Sequence, residues 1–403
     1  MLFIIIVLII FTSIYLYVGL RVIIPADLTK KWNIISWSAI IFFYLLPIIS
    51  ILQRIFGFQE FHNDVISMIT YISLGFIILL LLLLLFRDSI WLFLNTAKKF
   101  FKKAKSIFFS KRKPKVDNSL NIDRRRFLEK SCNIALLGVS GVLSGYGFIE
   151  SRKSATIEEV LIPFPGLTKD FNNLRIVQIS DLHIGITIKR NFVQRVVDQV
   201  NSLSPDIIVI TGDIVDRSVA HLKNDVSPLS ELSSSYGTYF VTGNHEYYSG
   251  VESWLLKFKE LGFTILNNEH AIIKHRKSHI LLAGVTDYSG SRFSENHNSD
   301  PQAAILGSPN KCDIKILLAH QPRSIFNAAS AGFDLQISGH THGGQFFPWN
   351  YLVRLQQPFI TGLHKYKNTW VYVNRGTGYW GPPLRIGVPS EITLIKLNSE
   401  INA

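Results

Sequence analysis

Residues 174–183 read Leu-Arg-Ile-Val-Gln-Ile-Ser-Asp-Leu-His, an apolar run typical of a buried strand that ends in a carboxylate and an imidazole. Four later segments repeat this plan, with a polar cluster at the end of an apolar run. The predicted strands are Leu174–Ile179, Ile207–Ile210, Thr238–Val241, Ile314–Ala319 and Leu335–Ser338. Packing alone does not explain the pattern, because burying unpartnered ionisable groups costs several kcal/mol. The strand ends instead predict one shared polar site.

The polar clusters have the composition of a metal site. The candidate ligands are Asp181, His183, Asp213, Asn244, His320, His340 and His342. Nitrogen and oxygen ligands without a thiolate favour Mn, Fe or Zn. Seven side chains suffice for two divalent ions that share a carboxylate, and such a pair can hold a phosphoryl group and generate a nucleophile at neutral pH. His245 is left over, and we expect it to protonate the leaving oxygen or to stabilise the transition state.

The order of these motifs resembles the calcineurin-like metallophosphoesterase superfamily. Asp-x-His, Gly-Asp, Gly-Asn-His-Glu, His and Gly-His-x-His follow one another between about Leu174 and Leu397. The resemblance implies two metal sites, formed by Asp181, His183 and His342 and by Asn244, His320 and His340. It also implies that Asp213 bridges the two ions, that His245 is the catalytic acid or stabilises the transition state, and that Glu246 contacts a motif histidine and holds it in place.

The resemblance further implies an α/β fold, a four-layer α-β-β-α sandwich over residues 156–403. Amphipathic runs predict helices between the strands, at Phe192–Leu203, Val251–Leu261 and Pro322–Ala329. We expect three later strands to complete a second sheet, at Ile280–Gly284, Trp370–Asn374 and Glu391–Leu397.

The first 97 residues contain three apolar runs, at Leu2–Leu20, Ile34–Ile51 and Ile66–Phe86. Each is close to the roughly 20 residues that a transmembrane helix needs. A buried core helix would explain one such run. Three in a row without polar faces predict three transmembrane helices within residues 1–97.

Lys and Arg are concentrated in the N-terminal part of the chain. Residues 1–150 contain 18 of the 42 Lys and Arg and 8 of the 29 Asp and Glu, so they carry +10 of the net charge of +13. By the positive-inside rule, the segment 98–130 is a basic cytoplasmic linker and the N-terminus lies outside. Because the remainder is close to neutral, the basic composition does not indicate nucleic-acid binding.

The linker ends in a motif similar to a twin-arginine export signal. Asp123–Lys130 contains three consecutive arginines followed by Phe-Leu, and a Gly-rich apolar segment follows at 131–150. Without an Ala-x-Ala cleavage site near Ile149–Ala155, we expect this segment to remain as a fourth span, a signal anchor. The alternative is a stop-transfer flank with arginines placed by the positive-inside rule alone. Both interpretations predict a multi-pass protein of the bacterial inner membrane with its catalytic domain on the periplasmic or extracellular side.

Finer similarities concern the substrate. Four segments are similar to membrane-tethered bacterial members of the superfamily: Ser180–Gly185, Gly343–Gln345, Thr361–Leu363 and Val373–Gly376. Those relatives include exported envelope phosphoesterases and UDP-2,3-diacylglucosamine hydrolases of lipid A synthesis. The apolar loops Phe346–Trp349 and Trp380–Pro383 would receive an acyl chain or simply cover the core. Arg375 and Arg385 would contact phosphate or make structural pairs.

We therefore expect a phosphodiesterase or pyrophosphatase that acts on a phosphate-containing substrate, lipid-linked or part of the envelope. A lipid A pyrophosphatase is the alternative that a reversed topology would favour. A membrane sensor or scaffold without activity is a rival of another class, against which the intact ligand set argues. A transporter is a weaker rival, because the apolar spans contain almost no charge. The sequence leaves the metal identity, the substrate-binding residues and the oligomeric state open.

Overall fold

The computed structural model describes residues 2–56, 64–108, 118–165, 167–172, 174–309 and 311–399. The chain divides into two compact units, Met1–Tyr146 and Gly147–Ala403. Residues 109–117 of the predicted linker lie outside the described residues.

Long helices dominate the first unit, and the last of them continues into the second. They are α1 Leu2–Ala26, α2 Lys30–Phe56, α3 Asp64–Phe108 and α4 Asn118–Arg152. Each contains a stretch long and apolar enough to cross a membrane, namely Ile4–Ala26, Lys30–Ile49, Asp64–Lys103 and Asp123–Arg152. Helix α3 runs past the predicted end of the membrane region at residue 97, and its continuation includes five Lys and one Ala, which are good helix formers.

A polar cluster joins three of these helices. The Asp88 carboxylate on α3 pairs with Arg21 on α1 at 2.8 Å and accepts a hydrogen bond from Tyr17 at 2.7 Å. The neighbouring Arg87 is buried and donates to Asn133 on α4. The charges therefore compensate one another where the apolar parts of the helices end.

The second unit contains two mixed sheets. Their strands are β1 Thr156–Pro163, β2 Ile176–Ile179, β3 Ile207–Ile210, β4 Thr238–Phe240, β5 Phe263–Ile265, β6 Glu269–His275, β7 Ser278–Gly284, β8 Ile314–Leu318, β9 Leu335–Ser338, β10 Gly362–Tyr366, β11 Thr369–Val373 and β12 Glu391–Asn398. The first sheet has the order β1-β12-β2-β3-β4-β5 and the second the order β10-β11-β9-β8-β7-β6. All five strands that were predicted to end in polar clusters are present, within one or two residues of the predicted bounds.

Seven further helices lie among the described residues of the second unit. They are α5 Arg190–Ser202, α6 Val219–Leu222, α7 Asn244–Ser249, α8 Val251–Glu260, α9 Pro301–Ala304, α10 Ile325–Ser330 and α11 Trp349–Leu352. In one apolar core, α5 and α8 pack on the first sheet. A second core lies between the two sheets, and in a third core α9 and α10 pack on the second sheet. These layers confirm the predicted α-β-β-α sandwich.

One strand was assigned to the wrong sheet. Glu391–Leu397 was expected in the second sheet, but β12 lies in the first, between β1 and β2. It runs parallel to β1, with Thr156 opposite Glu391, and antiparallel to β2, with Thr393 opposite Gln178. The apolar pattern could not distinguish the two positions, because both sheets bury their inner faces in the same core.

Candidate metal centre

The seven candidate ligands all follow strands at one edge of the two sheets. Asp181 and His183 come after β2, and Asp213 comes after β3. Asn244 begins α7, shortly after β4, while His320 follows β8 and His340 and His342 follow β9. Because β2, β3 and β4 run parallel, as do β8 and β9, their carboxyl ends meet at a common edge. The topology thus brings residues from five loops together.

The backbone is strained at most of these positions. Five of the candidate ligands have a left-handed backbone: Asp181 (φ 54°), His183 (φ 51°), Asp213 (φ 53°), His340 (φ 72°) and His342 (φ 51°). This conformation is unfavourable for residues other than glycine and persists only where surrounding structure enforces it. Strain is therefore concentrated at the candidate ligands.

Two glycines allow the loops to approach closely. A Cβ on Gly339 would overlap the Ser180 hydroxyl and the Asp181 carboxylate, and a Cβ on Gly243 would overlap Asp213. Glycine is therefore needed at both positions to let neighbouring loops meet at the carboxylates.

Asp181, His183 and His342 form the first group of candidate ligands, with ligand atoms within 4.8 Å of one another. The two imidazoles face each other with their Nε2 atoms 3.0 Å apart, and Nε2 of His342 lies 3.5 Å from the Asp181 carboxylate. Ser180 and the backbone N–H of His340 donate to that carboxylate and fix its orientation. The three side chains thus direct nitrogen and oxygen lone pairs towards one point.

Asp213, His320 and His340 form the second group. Nε2 of His320 lies 3.2 Å from the Asp213 carboxylate and 3.1 Å from Nδ1 of His340. The other ring nitrogen of His320 donates to the Thr211 carbonyl at 2.7 Å, which leaves Nε2 free to act as a ligand. Asp213 also lies 3.9 Å from Nε2 of His183, between the two groups, as a bridging ligand would.

The side chain of Asn244 indicates whether divalent metal ions fit this site. Its side-chain carbonyl oxygen is buried and, among the described residues, has no hydrogen-bond donor. An unsatisfied buried acceptor costs about 1–3 kcal/mol, which coordination to a cation would offset. This orphaned oxygen and the facing imidazoles fit a site for divalent ions.

His245 lies beside the candidate ligands and is held by a residue that sequence reasoning missed. Asp216 accepts from Nδ1 of His245 at 2.7 Å and from Nδ1 of His183 at 2.8 Å. Burial lowers the pKa of His245, but the Asp213 and Asp216 carboxylates outweigh it and raise that pKa to about 9. In turn, although burial raises the pKa of Asp216, the two histidines hold it well below its usual range. The sequence signal was a second carboxylate three positions after Asp213.

Comparison with known proteins agrees with this geometry. A family model described as calcineurin-like phosphoesterase matches residues 174–344. An uncharacterized metallophosphoesterase from Helicobacter pylori is 40% identical over 279 residues, which cover 68% of this chain and 72% of the relative. The chain belongs to the metallophosphoesterase family.

Two further matches concern larger proteins. A transmembrane protein with a metallophosphoesterase domain from Danio rerio is 39% identical over 272 residues, which cover 66% of this chain and 62% of the relative. The chain therefore matches less than two thirds of that protein's length. Among solved structures, an NAD nucleotidase from Haemophilus influenzae aligns with a TM-score of 0.37 and 18% identity over 51% of this chain and 45% of its own. The family is one of metal-dependent phosphoric ester hydrolases, and here its domain follows apolar helices suited to a membrane.

Glu246 has a different role in this metallophosphoesterase domain from the one expected. It was predicted to support a motif histidine, but its buried carboxylate accepts backbone N–H groups of Gly243, Asp213 and Ile214 at 2.7–2.9 Å. The loops after β3 and β4 are irregular, so their N–H groups need an acceptor that no strand supplies. Glu246 ties these two ligand-bearing loops together.

Both arginines considered for phosphate binding make structural contacts. Arg375 pairs with Glu391 at 2.5 Å and with Glu158 at 2.9 Å. Arg385 is fully buried and donates to backbone carbonyls, including those of Gly378 and Val388. Their guanidinium groups hold the loop after β11 in place, which favours the structural alternative.

Aromatic side chains line the opening of the metallophosphoesterase site. The ring centroid of His245 lies 5.2 Å from that of Tyr248 and 6.0 Å from that of Trp380. About half of the surface of each of these two aromatic residues is exposed. A substrate that reaches His245 therefore passes apolar surface.

Proposed function

We propose that this chain is a membrane-anchored enzyme that uses two divalent ions, Mn, Fe or Zn, to hydrolyse a phosphate ester or pyrophosphate of a lipid-linked or envelope substrate. The observation that carries the proposal is the meeting of five strand-end loops around two groups of facing nitrogen and oxygen atoms, with the unpartnered oxygen of Asn244 beside them.

Each candidate residue has a role in the proposed reaction. One ion would be held by Asp181, His183 and His342 and the other by Asn244, His320 and His340, with Asp213 between them. When bound, the ions neutralise phosphate charge and generate the nucleophile at neutral pH. His245, whose Nδ1 donates to the Asp216 carboxylate at 2.7 Å, would donate its Nε2 proton to the leaving oxygen.

Hydrolysis of bis-p-nitrophenyl phosphate by the full chain in detergent tests the proposal. The protein is stripped of metal and then given Mn, Zn, Fe or Mg. We expect activity to return with at least one ion and to be lost in Asp213→Asn. Asp198→Asn, an exposed position on α5, is the control for the same change of charge. A folded, metal-binding chain that is silent with every ion would favour the sensor or scaffold instead.

We also propose that the domain lies on the periplasmic or extracellular side of a bacterial inner membrane. The support is the cationic segment that precedes α4, together with the exposed arginines Arg124–Arg126 near the start of α4. These arginines would act as a twin-arginine or stop-transfer signal. Alkaline phosphatase fused after the last residue should be active, and a cytoplasm-only fluorescent reporter should be dark. The reverse result would favour a cytoplasmic pyrophosphatase of lipid A synthesis.

A further inference from the structure

Large apolar side chains are exposed beside the metal centre, in the segment that contains helix α11 and in the loop that carries Trp380. We call this surface the apolar rim; its side chains, between 43% and 83% exposed, are Phe347, Trp349, Tyr351, Leu352, Leu355 and Trp380. Contiguous exposed apolar residues on a water-soluble surface are unfavourable and mark an interaction site.

Gln345 connects the two segments of the apolar rim through hydrogen bonds. Its side chain donates to the Trp380 carbonyl at 3.0 Å and accepts from the Trp380 N–H at 2.9 Å. Its own carbonyl accepts from the N–H of Ile386 at 3.1 Å. The segment that begins at Phe346 is therefore fixed against the loop that carries Trp380.

The end of helix α4 packs on that same loop. The carbonyl of Gly147 accepts from the N–H of Arg385 at 3.0 Å, and the side chains of Leu384 and Ile386 lie against Gly147. Five residues later, Arg152 donates to the carbonyl of Thr187. The second unit therefore begins, at Gly147, beside the loop that carries Trp380.

The charge around the rim also suits a membrane surface. Residues 335–390 contain no Asp or Glu, whereas they include Arg354, Lys365 and Lys367. Arg354 is exposed between the rim residues Leu352 and Leu355. Trp and Tyr favour the layer between lipid headgroups and acyl chains, and cations favour anionic headgroups.

We propose that the apolar rim inserts into the interfacial layer of the bilayer that α4 crosses, so that the metal centre opens onto the membrane surface. Trp380 belongs to the rim and also contacts the ring of His245, so the reacting phosphate would sit at headgroup level. The consequence for the substrate rests on the proposed function: its phosphate would be attached directly to a membrane-embedded lipid.

A depth measurement tests the insertion without using catalysis. In the full chain with Cys132→Ser and Cys312→Ser, Leu355→Cys carries an environment-sensitive nitrobenzoxadiazole label in phosphatidylcholine–phosphatidylglycerol vesicles. Leu306→Cys is the matched control, because Leu306 is 82% exposed and Leu355 is 83% exposed. Leu306 follows α9, which packs on β6 and β7 away from the rim.

We expect the label at position 355 to emit at shorter wavelength and to be quenched by headgroup-proximal doxyl lipid at least two-fold more strongly than the label at position 306. Equal quenching at both positions would overturn the proposal. A blue-shifted label that doxyl lipid does not quench would also overturn it, because protein would then cover the rim.

A paired assay separates this proposal from the proposed function. The ratio of hydrolysis of a dioleoylglycerol p-nitrophenyl phosphodiester in vesicles to that of soluble bis-p-nitrophenyl phosphate should fall about five-fold in Leu352→Ser, Leu355→Ser but not in Leu306→Ser. An unchanged ratio would overturn the insertion. Loss of soluble hydrolysis in the unsubstituted chain would contradict the enzyme proposal and leave the depth result as the test of the rim.

Discussion

Individual residues at the site show what sequence could and could not predict. The ligand candidates were recognisable because each interrupts an apolar run. Asp216 was missed because it lies within the loop after β3, where a carboxylate is ordinary. Its importance depends on the fold, which brings His183 and His245 from two other loops to the same carboxylate oxygen.

Replacing Asp216 by Asn should impair both histidines. The amide keeps the size but removes the negative charge, so it no longer stabilises a protonated His245 or fixes the tautomer of His183. We expect kcat for bis-p-nitrophenyl phosphate to fall about 10- to 100-fold, with a smaller loss of bound metal measured by elemental analysis. A kcat within two-fold of the Asp198→Asn control would show that Asp216 does not position these rings.

Gly339→Ala should abolish metal binding at the first group of ligands. The added methyl group has no room between the Ser180 hydroxyl and the Asp181 carboxylate, so the loop after β9 must move away. We expect metal content and diesterase activity to be lost together. Gly145→Ala is the control, since a Cβ there meets nothing within 4 Å. Retained metal in Gly339→Ala would contradict the close-approach argument.

Whole elements were predictable where the local pattern is strong. Strands β2, β3, β4, β8 and β9 follow from their apolar runs, whereas the half-exposed β1 and β10 lack such a signal. The sheet to which β12 belongs depends on pairing between distant segments, which no local pattern encodes. At the start of α7, Glu246 caps its own helix and also accepts a hydrogen bond from the backbone N–H of Asp213, in the loop after β3.

Glu246→Gln should lower the free energy of unfolding of this domain. One oxygen of the new side chain can still accept, but its NH₂ group would face backbone N–H donors that lose their acceptor. We expect a loss of about 1–3 kcal/mol, seen as a lower midpoint in thermal unfolding followed by tryptophan fluorescence. Glu260→Gln, exposed at the end of α8, is the matched control. Equal midpoints would show that these hydrogen bonds are dispensable.

At the scale of the whole molecule, metal and fold should depend on each other. The loops that carry the ligands have strained backbones, and they bring together facing imidazoles and two buried carboxylates. Each of these features costs free energy, which bound cations would offset. The apolar helices and the metallophosphoesterase domain were both evident from composition and motif order. The relation of the apolar rim to the end of α4 was not, because it arises from contacts between distant parts of the chain.

Chelation should therefore destabilise the second unit in the full chain. At ion concentrations about 100 times the Kd, binding contributes about 2.7 kcal/mol, so EDTA should lower the unfolding midpoint by several degrees. Adding back an activating ion should restore it. Asp213→Asn should already unfold at the lower temperature and respond little to EDTA; an equal response to that of the unsubstituted chain would contradict the bridging role.

The pairing of β1 with β12 has a consequence for biogenesis. Among the described strands, β1, which follows α4 directly, pairs only with β12 from the far end of the domain. Strand β12 also lies between β1 and β2 in the first sheet. A nascent chain that has not been synthesised past Asn398 exposes two unpaired strand edges, each able to capture a neighbouring polypeptide. Completion of the first sheet is therefore a late event in the synthesis of the domain.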